Sequence, residues 1–121
     1  MENETNAGKR ILLVEDERVT RELIKELLRQ DEHTVVEANN GAEAYALFTK
    51  GRYDLVMTDL LMPFVNGEEL ATRIRQLEPE QPILLITGRD VKCRPGSPVS
   101  AILRKPFDYM DLHQEMAKLL S

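Results

Sequence analysis

Asp59 ends the run Asp54-Leu55-Val56-Met57-Thr58 and opens the loop Leu60-Leu61-Met62-Pro63-Phe64-Val65-Asn66-Gly67. A carboxylate at the mouth of an apolar strand is placed for chemistry rather than for packing. Other polar residues take equivalent places: Glu15 and Asp16 follow Ile11-Leu12-Leu13-Val14, Thr87 follows Ile83-Leu84-Leu85-Ile86, and Lys105 lies just past Ala101-Ile102-Leu103. Neighbouring carboxylates repel one another, and their ionised forms are best tolerated when a hard divalent cation supplies compensating charge. Ligation by oxygen alone points to Mg2+, which binds through one or two carboxylates and leaves a position for a phosphoryl oxygen. Lys105 adds a compact positive charge and Thr87 a hydroxyl donor. The set fits a phosphoryl group carried on Asp59, with charge developing in the transition state offset by the metal and Lys105.

Positioning such a set requires strands that end on one edge. Short apolar runs alternate with amphipathic stretches along the chain, the pattern of repeated βα units. Continuous apolar runs indicate strands covered on both faces, as in an open parallel sheet between helix layers, where ligands bind beyond the carboxyl ends of the strands. The expected strands are Ile11 to Val14, Thr34 to Ala38, Asp54 to Thr58, Ile83 to Ile86 and Ala101 to Leu103. The first helix carries Val19, Leu23 and Leu27 at four-residue spacing, with Ile24 and Leu28 read onto the same inward face. Asn39-Asn40-Gly41 leads into a second helix with Ala44, Leu47 and Phe48 inward, closed by Gly51. Leu70, Ile74 and Leu77 form the stripe of a third helix that stops by Pro79, and Leu112, Met116, Leu119 and Leu120 line a last one.

A chain of 121 residues, 42% of them hydrophobic, has room for one domain with one core. A formal net charge of −5 argues against direct nucleic-acid binding, which needs a clustered cationic excess. The single cysteine, Cys93, excludes an internal disulfide and reads as an incidental loop thiol, oxidisable if exposed. No apolar stretch approaches a membrane span or a signal peptide, so the expectation is a soluble, cytoplasmic protein without membrane insertion. Met1 to Gly8 is expected to be a mobile lead-in, with the domain proper over 9–121. His33 and His113 read as surface residues, because neither has ligand spacing to another His or Cys.

The motifs together resemble the receiver domains of two-component response regulators. The matching pieces are Ile11 to Glu17, Asp54 to Asp59 with Met62-Pro63 and Gly67, Ile83 to Gly88, and Lys105-Pro106-Phe107, in the family's order. The resemblance implies a flavodoxin-like (βα)5 fold, a doubly wound parallel five-stranded sheet. It implies that Asp59 accepts a phosphoryl group from a phosphohistidine on a sensor histidine kinase or histidine phosphotransfer protein, and that altered docking carries the signal to a downstream protein. By the same carry-over Asp16 ligates Mg2+ directly, Glu15 acts through metal-bound water, and Leu61 offers its backbone carbonyl. Thr87 would contact the phosphoryl oxygen, Lys105 would pair with the carboxylate and then with the phosphoryl group, and Gly88 suits an access path to it. Catalysis would be limited to the domain's own phosphorylation and dephosphorylation.

The departures are informative. Ile102 stands where the family usually carries an aromatic switch residue, which puts that readout in doubt. Seventeen residues separate Thr87 from Lys105, and Arg94-Pro95-Gly96-Ser97-Pro98 interrupts helical periodicity, so the fourth helix is expected to be shortened or absent. Signal transmission would then pass through residues 88 to 100. Leu61 and Arg89 offer no obvious group to orient an attacking water, which predicts slow loss of the phosphoryl group.

Bland alternatives exist for each residue alone. Glu15-Asp16-Glu17 suits an acidic helix start, Asp59 a loop cap, Thr87 a strand-end hydroxyl and Lys105 a solvated charge. Phe64-Val65 is either loop packing or a partner contact. A phosphorylation-independent docking scaffold would retain the fold without the chemistry. A dehalogenase-like phosphatase would need an Asp where Leu61 stands, and a dinucleotide enzyme a Gly-x-Gly-x-x-Gly after a strand. A stand-alone regulator and a receiver from a hybrid kinase both fit the length.

Overall fold

The structure is a computed structural model and describes residues 7–120. Five strands, β1 (Arg10–Val14), β2 (Thr34–Ala38), β3 (Leu55–Asp59), β4 (Ile83–Thr87) and β5 (Ala101–Arg104), alternate with helices α1 (Arg18–Arg29), α2 (Gly41–Thr49) and α3 (Gly67–Leu77), and α4 (Tyr109–Leu120) closes the order. The sheet is wholly parallel in the order β2-β1-β3-β4-β5. This is the doubly wound arrangement expected, with no helix between β4 and β5. Of the expected lead-in, residues 1–6 lie outside the described residues, while the Gly8 amide donates to the Asp31 carbonyl at 3.1 Å.

Each sheet face buries its own cluster. Leu12, Val14, Val56, Ile83 and Leu85 meet Phe48, Leu70 and Ile74 on one side; Ile11, Leu13, Met57, Leu84 and Ile86 meet Ile24, Leu28, Leu112 and Met116 on the other. Each such side chain contributes roughly 1.5–3 kcal/mol on leaving water. Ile11 to Val14 of β1, Leu55 to Met57 of β3 and Ile83 to Ile86 of β4 are buried, apolar runs because helices cover both faces of these strands. β5 is an edge strand whose first three residues are only half-buried.

Two helices start on side-chain caps. The Asn40 and Asn66 carboxamides accept from the Glu43 and Glu69 amides, each at 2.8 Å. α1 departs from the expected packing: Ile24 and Leu28 are buried, whereas Val19 and Leu23 are 66% and 64% exposed. The five apolar residues span more than one helical stripe, and the sheet takes only the half that carries Ile24 and Leu28. Leu77, read as part of the α3 stripe, is about half exposed, at 47%. His33 is buried rather than superficial, because its Nδ1 accepts from the Lys9 backbone amide at 3.0 Å and seals the turn into β2.

Between β4 and β5 the chain makes a tight turn in place of a helix. The Arg94 carbonyl accepts from the Ser97 amide at 3.0 Å, with Pro95 and Gly96 in the middle and Gly96 at φ 83°. That is the residue pattern of a type II turn, with fixed φ at one central position and positive φ at the next.

Candidate functional site

Sheet register brings the predicted residues to one edge. Val14 lies opposite Thr58, so Glu15 and Asp59 each stand one residue further along neighbouring strands; Asp59 pairs with Ile86, and Thr87 with Arg104, which sets Thr87 and Lys105 beside them. The chain leaves β1 for β2 on one flank and returns to β3 on the other. Glu15, Asp16 and Asp59 therefore flank the topological switch point, where open α/β sheets bind ligands.

Oxygen atoms of Glu15, Asp16 and Asp59 lie within 4.8 Å of one another. Lys105 Nζ reaches Glu15 Oε1 at 3.1 Å and Asp59 Oδ2 at 3.3 Å. The second oxygen of Glu15 accepts from the Glu17 amide at 3.1 Å, and Asp59 Oδ1 from the Leu60 amide at 2.8 Å. Burial raises the Glu15 pKa above the usual carboxylate value, and the charge of Asp59 adds to this against the opposing pull of the Glu17 amide and Lys105. For Lys105, burial acts to lower the pKa, but the hydrogen bond to Glu15 and the charges of Glu15 and Asp59 outweigh it and hold the ammonium above its ordinary range. Three carboxylates against one ammonium leave two negative charges, the charge of one divalent cation. The donor set is oxygen only, so the residues fit Mg2+ rather than a softer metal.

Two glycines permit this edge to form. A side chain at position 67 would collide with the Asp59 backbone carbonyl, and one at position 41 would come within 2.8 Å of Val65. The loop after β3 is thereby pressed against the site. Val65 is buried and Phe64 is 92% exposed, which divides a pair that the sequence left open. The Val65 amide donates to the Pro63 carbonyl at 2.8 Å around Phe64 at φ 70°, a strained γ-turn that holds the ring in solvent. Leu61 is 56% exposed at the start of that loop. Thr87 is buried; its hydroxyl accepts from the Arg89 amide at 3.1 Å and its carbonyl from the Lys105 amide at 2.8 Å. Ile102 packs partly buried against the cluster containing Val99. Cys93 is exposed.

Sequence reasoning missed two features near the site. Val19 and Leu23 read as core residues in the sequence, although two apolar ladders on one short helix cannot both face the sheet. Arg21 also escaped notice: its guanidinium donates to the Glu15 carbonyl at 2.8 Å and to Glu37 on β2 at 3.2 Å, bracing the acidic turn.

A fold with this switch point and this set of side chains defines a signalling receiver module. The response regulator receiver domain model matches residues 11–117, and the chain belongs to that family. It is 36% identical over 116 residues to the response regulator receiver protein CpdR of Brucella abortus, covering 93% of this chain and 97% of CpdR. It spans about half, 51%, of another relative, the transcriptional regulatory protein PcoR of Escherichia coli. Among solved structures, TrrA of Thermotoga maritima in complex with Mg2+-BeF superposes with a TM-score of 0.84 at 36% identity, over 93% of this chain and 99% of that one. TrrA has also been solved in complex with the histidine kinase ThkA. The receiver domain of the sensor histidine kinase PA1611 from Pseudomonas aeruginosa, with a magnesium ion in its active-site cleft, gives a TM-score of 0.85 at 27% identity, covering 94% of this chain and 98% of that one. No described helix is long and apolar enough to cross a membrane.

Proposed function

We propose that this receiver domain, residues 9–121, takes a phosphoryl group onto Asp59 from a phosphohistidine of a sensor histidine kinase or histidine phosphotransfer protein. The single observation that carries this reading is the convergence of Asp59 with Glu15, Asp16 and Lys105 at the switch point. An Asp59 oxygen attacks phosphorus, the P–N bond to the donor imidazole breaks, and the new P–O bond leaves an acyl phosphate. Glu15, Asp16, Asp59 and the Leu61 backbone carbonyl would hold Mg2+, which supplies charge compensation for the transferring group. Lys105 screens Asp59 beforehand and follows the charge onto the phosphoryl oxygens, while the Thr87 hydroxyl donates to one of them. Ile102, at the switch position, offers no ring for the usual rotamer readout.

The donor has a surface beside this chemistry. A mostly apolar cavity of about 240 Å3 is lined by Thr20, Leu23, Ile24, Leu27, Lys105, Pro106 and Phe107, and Val19 extends the exposed strip along α1. Because Lys105 belongs to both, an amphipathic helix laid on α1 brings its phosphohistidine to Asp59. Leu61 and Arg89 provide no base for water, so the acyl phosphate is expected to decay slowly. A decay in the fastest range for receivers, unchanged by Arg89→Ala, would contradict that.

The test is intact mass after incubation with acetyl phosphate, with and without Mg2+, on the wild type and Asp59→Asn. One phosphoryl group gained with metal and absent in the variant is the expected result. No gain would replace this reading with a phosphorylation-independent docking scaffold.

A further inference from the structure

We propose that residues 88–96 form a cationic docking loop for an acidic segment of a downstream protein, coupled to Asp59 through the Thr87 hydroxyl. The proposal rests on the reading of Asp59 as phosphoacceptor.

The segment that stands in place of a helix has one fixed end and one free stretch. At the fixed end, Arg75 of α3 donates from Nη2 to the Pro98 carbonyl at 2.6 Å and from Nη1 to the Gln81 and Pro79 carbonyls at 2.6 and 2.9 Å. Val99 is buried in the core beside it, and Ser100 Oγ accepts from the Ile83 amide at 3.0 Å. Residues 88–96 are exposed throughout. They carry Arg89, Lys92 and Arg94, none with an ion-pair partner among the described residues, while Asp90 is occupied by Arg104 at 3.6 Å.

In a chain of net charge −5 this concentration of free cations runs against the prevailing sign. An acidic segment is attracted to the loop against a net negative charge, which gives docking an orientation as well as affinity. Nucleic acid fits less well, because an extended polyanion meets the negative remainder of the molecule. A groove of about 840 Å3, bordered by Lys92 and Arg94 together with Val91, Glu68 and the Arg104-paired Asp90, leaves room for an apolar residue among the partner's acids.

The coupling lies in one shared atom. Thr87 Oγ, the group assigned to the phosphoryl oxygen, accepts from the Arg89 amide at 3.1 Å. Displacing that hydroxyl toward Asp59 moves or frees the first cation of the loop, while Arg75 keeps the far end in place.

The experiment titrates the protein into a fluorescent peptide of Glu residues interspersed with Leu, read by anisotropy, with and without Mg2+ and beryllofluoride. The variants are Lys92→Glu/Arg94→Glu and, at the opposite, amino-terminal end of the central strands, Lys50→Glu/Arg52→Glu. Affinity is expected to fall at least about tenfold in the loop variant, to stay unchanged in the control, and to rise about threefold in wild type with beryllofluoride. Equal affinity of loop variant and wild type would overturn the proposal, as would tighter binding of an oligothymidylate than of the peptide. So would indifference to beryllofluoride in a protein that acetyl phosphate modifies at Asp59. Failure of that modification would strike the phosphoacceptor reading instead, and the titration without beryllofluoride still reads the loop.

Discussion

Lys105 is divided between Glu15 and Asp59, so neither carboxylate is fully neutralised, and the residual charge is what makes the site receptive to a cation. Away from the site, two residues just before β2 contribute to acid stability. Burial pushes the His33 pKa below its ordinary 6.5. The unfolded chain then takes a proton before the folded one does, so stability present above pH 6.5 is lost as pH falls through the lower folded value. For Asp31, burial acts upward, but hydrogen bonds from Tyr109 and His113, at 2.6 and 2.8 Å, outweigh it and hold the carboxyl below 3.8. Its contribution is lost only as pH drops from 3.8 through that lower folded value. Denaturant unfolding across a pH series is expected to show a decline beginning near pH 6.5 that is flattened in His33→Asn, and a later one flattened in Asp31→Asn. Replacement of Asp31 costs about 1 kcal/mol near neutrality, the scale of a partly exposed hydrogen bond to a charged group. Variants that track the wild-type profile through both windows would refute these assignments.

At the scale of elements, the replaced helix is the feature that needs a physical account. Arg75 spends its donors on the backbone carbonyls of Pro79, Gln81 and Pro98, which tie the end of α3 to the entry of β5. Arg75→Met should therefore accelerate amide exchange at Val99 and Ser100 without altering the already open residues 91–96. Unchanged exchange at Val99 would show that burial alone holds it. A shortened or absent helix was legible in the sequence, since Pro95 and Pro98 interrupt helical hydrogen bonding and Gly96 disfavours it. Strand positions were legible too, within one residue, because β1, β3 and β4 are apolar on both faces. The strand after Asp54 reads one residue early, since Asp54 accepts from the Arg10 amide at 2.8 Å and behaves as a cap before β3. The orientation of α1 was not legible: Val19-Leu23 and Ile24-Leu28 are equally apolar ladders, and only the sheet decides which one it covers. Nor did spacing reveal that His33 is buried, because its partner is a backbone amide at Lys9. The Asp59, Glu15, Asp16, Thr87 and Lys105 set could be collected because every member stands at or just beyond the end of a recognisable strand.

For the whole molecule, the site is a joint property of four strand ends, so occupancy and global stability must be linked. Repulsion among Glu15, Asp16 and Asp59 within 4.8 Å opposes closure of β1 onto β3, and a bound divalent cation turns that repulsion into attraction. A ligand that binds only the folded state stabilises it by about 2.7 kcal/mol at a concentration one hundred times its Kd. Mg2+ is therefore expected to raise Tm by several degrees in this chain. Asp16→Asn removes one of the repelling charges from an exposed position, so the metal-free variant should melt above metal-free wild type while losing most of the gain from Mg2+. Differential scanning calorimetry of both proteins, titrated with Mg2+ at constant ionic strength, separates the two effects. A variant that still gains as much as wild type would remove Asp16 from the ligand set, and a wild type that gains nothing would leave the acidic cluster as mere surface charge. The crossover, in which one substitution stabilises the free form and destabilises the loaded one, is the signature of a fold that retains an unfavourable charge arrangement for binding.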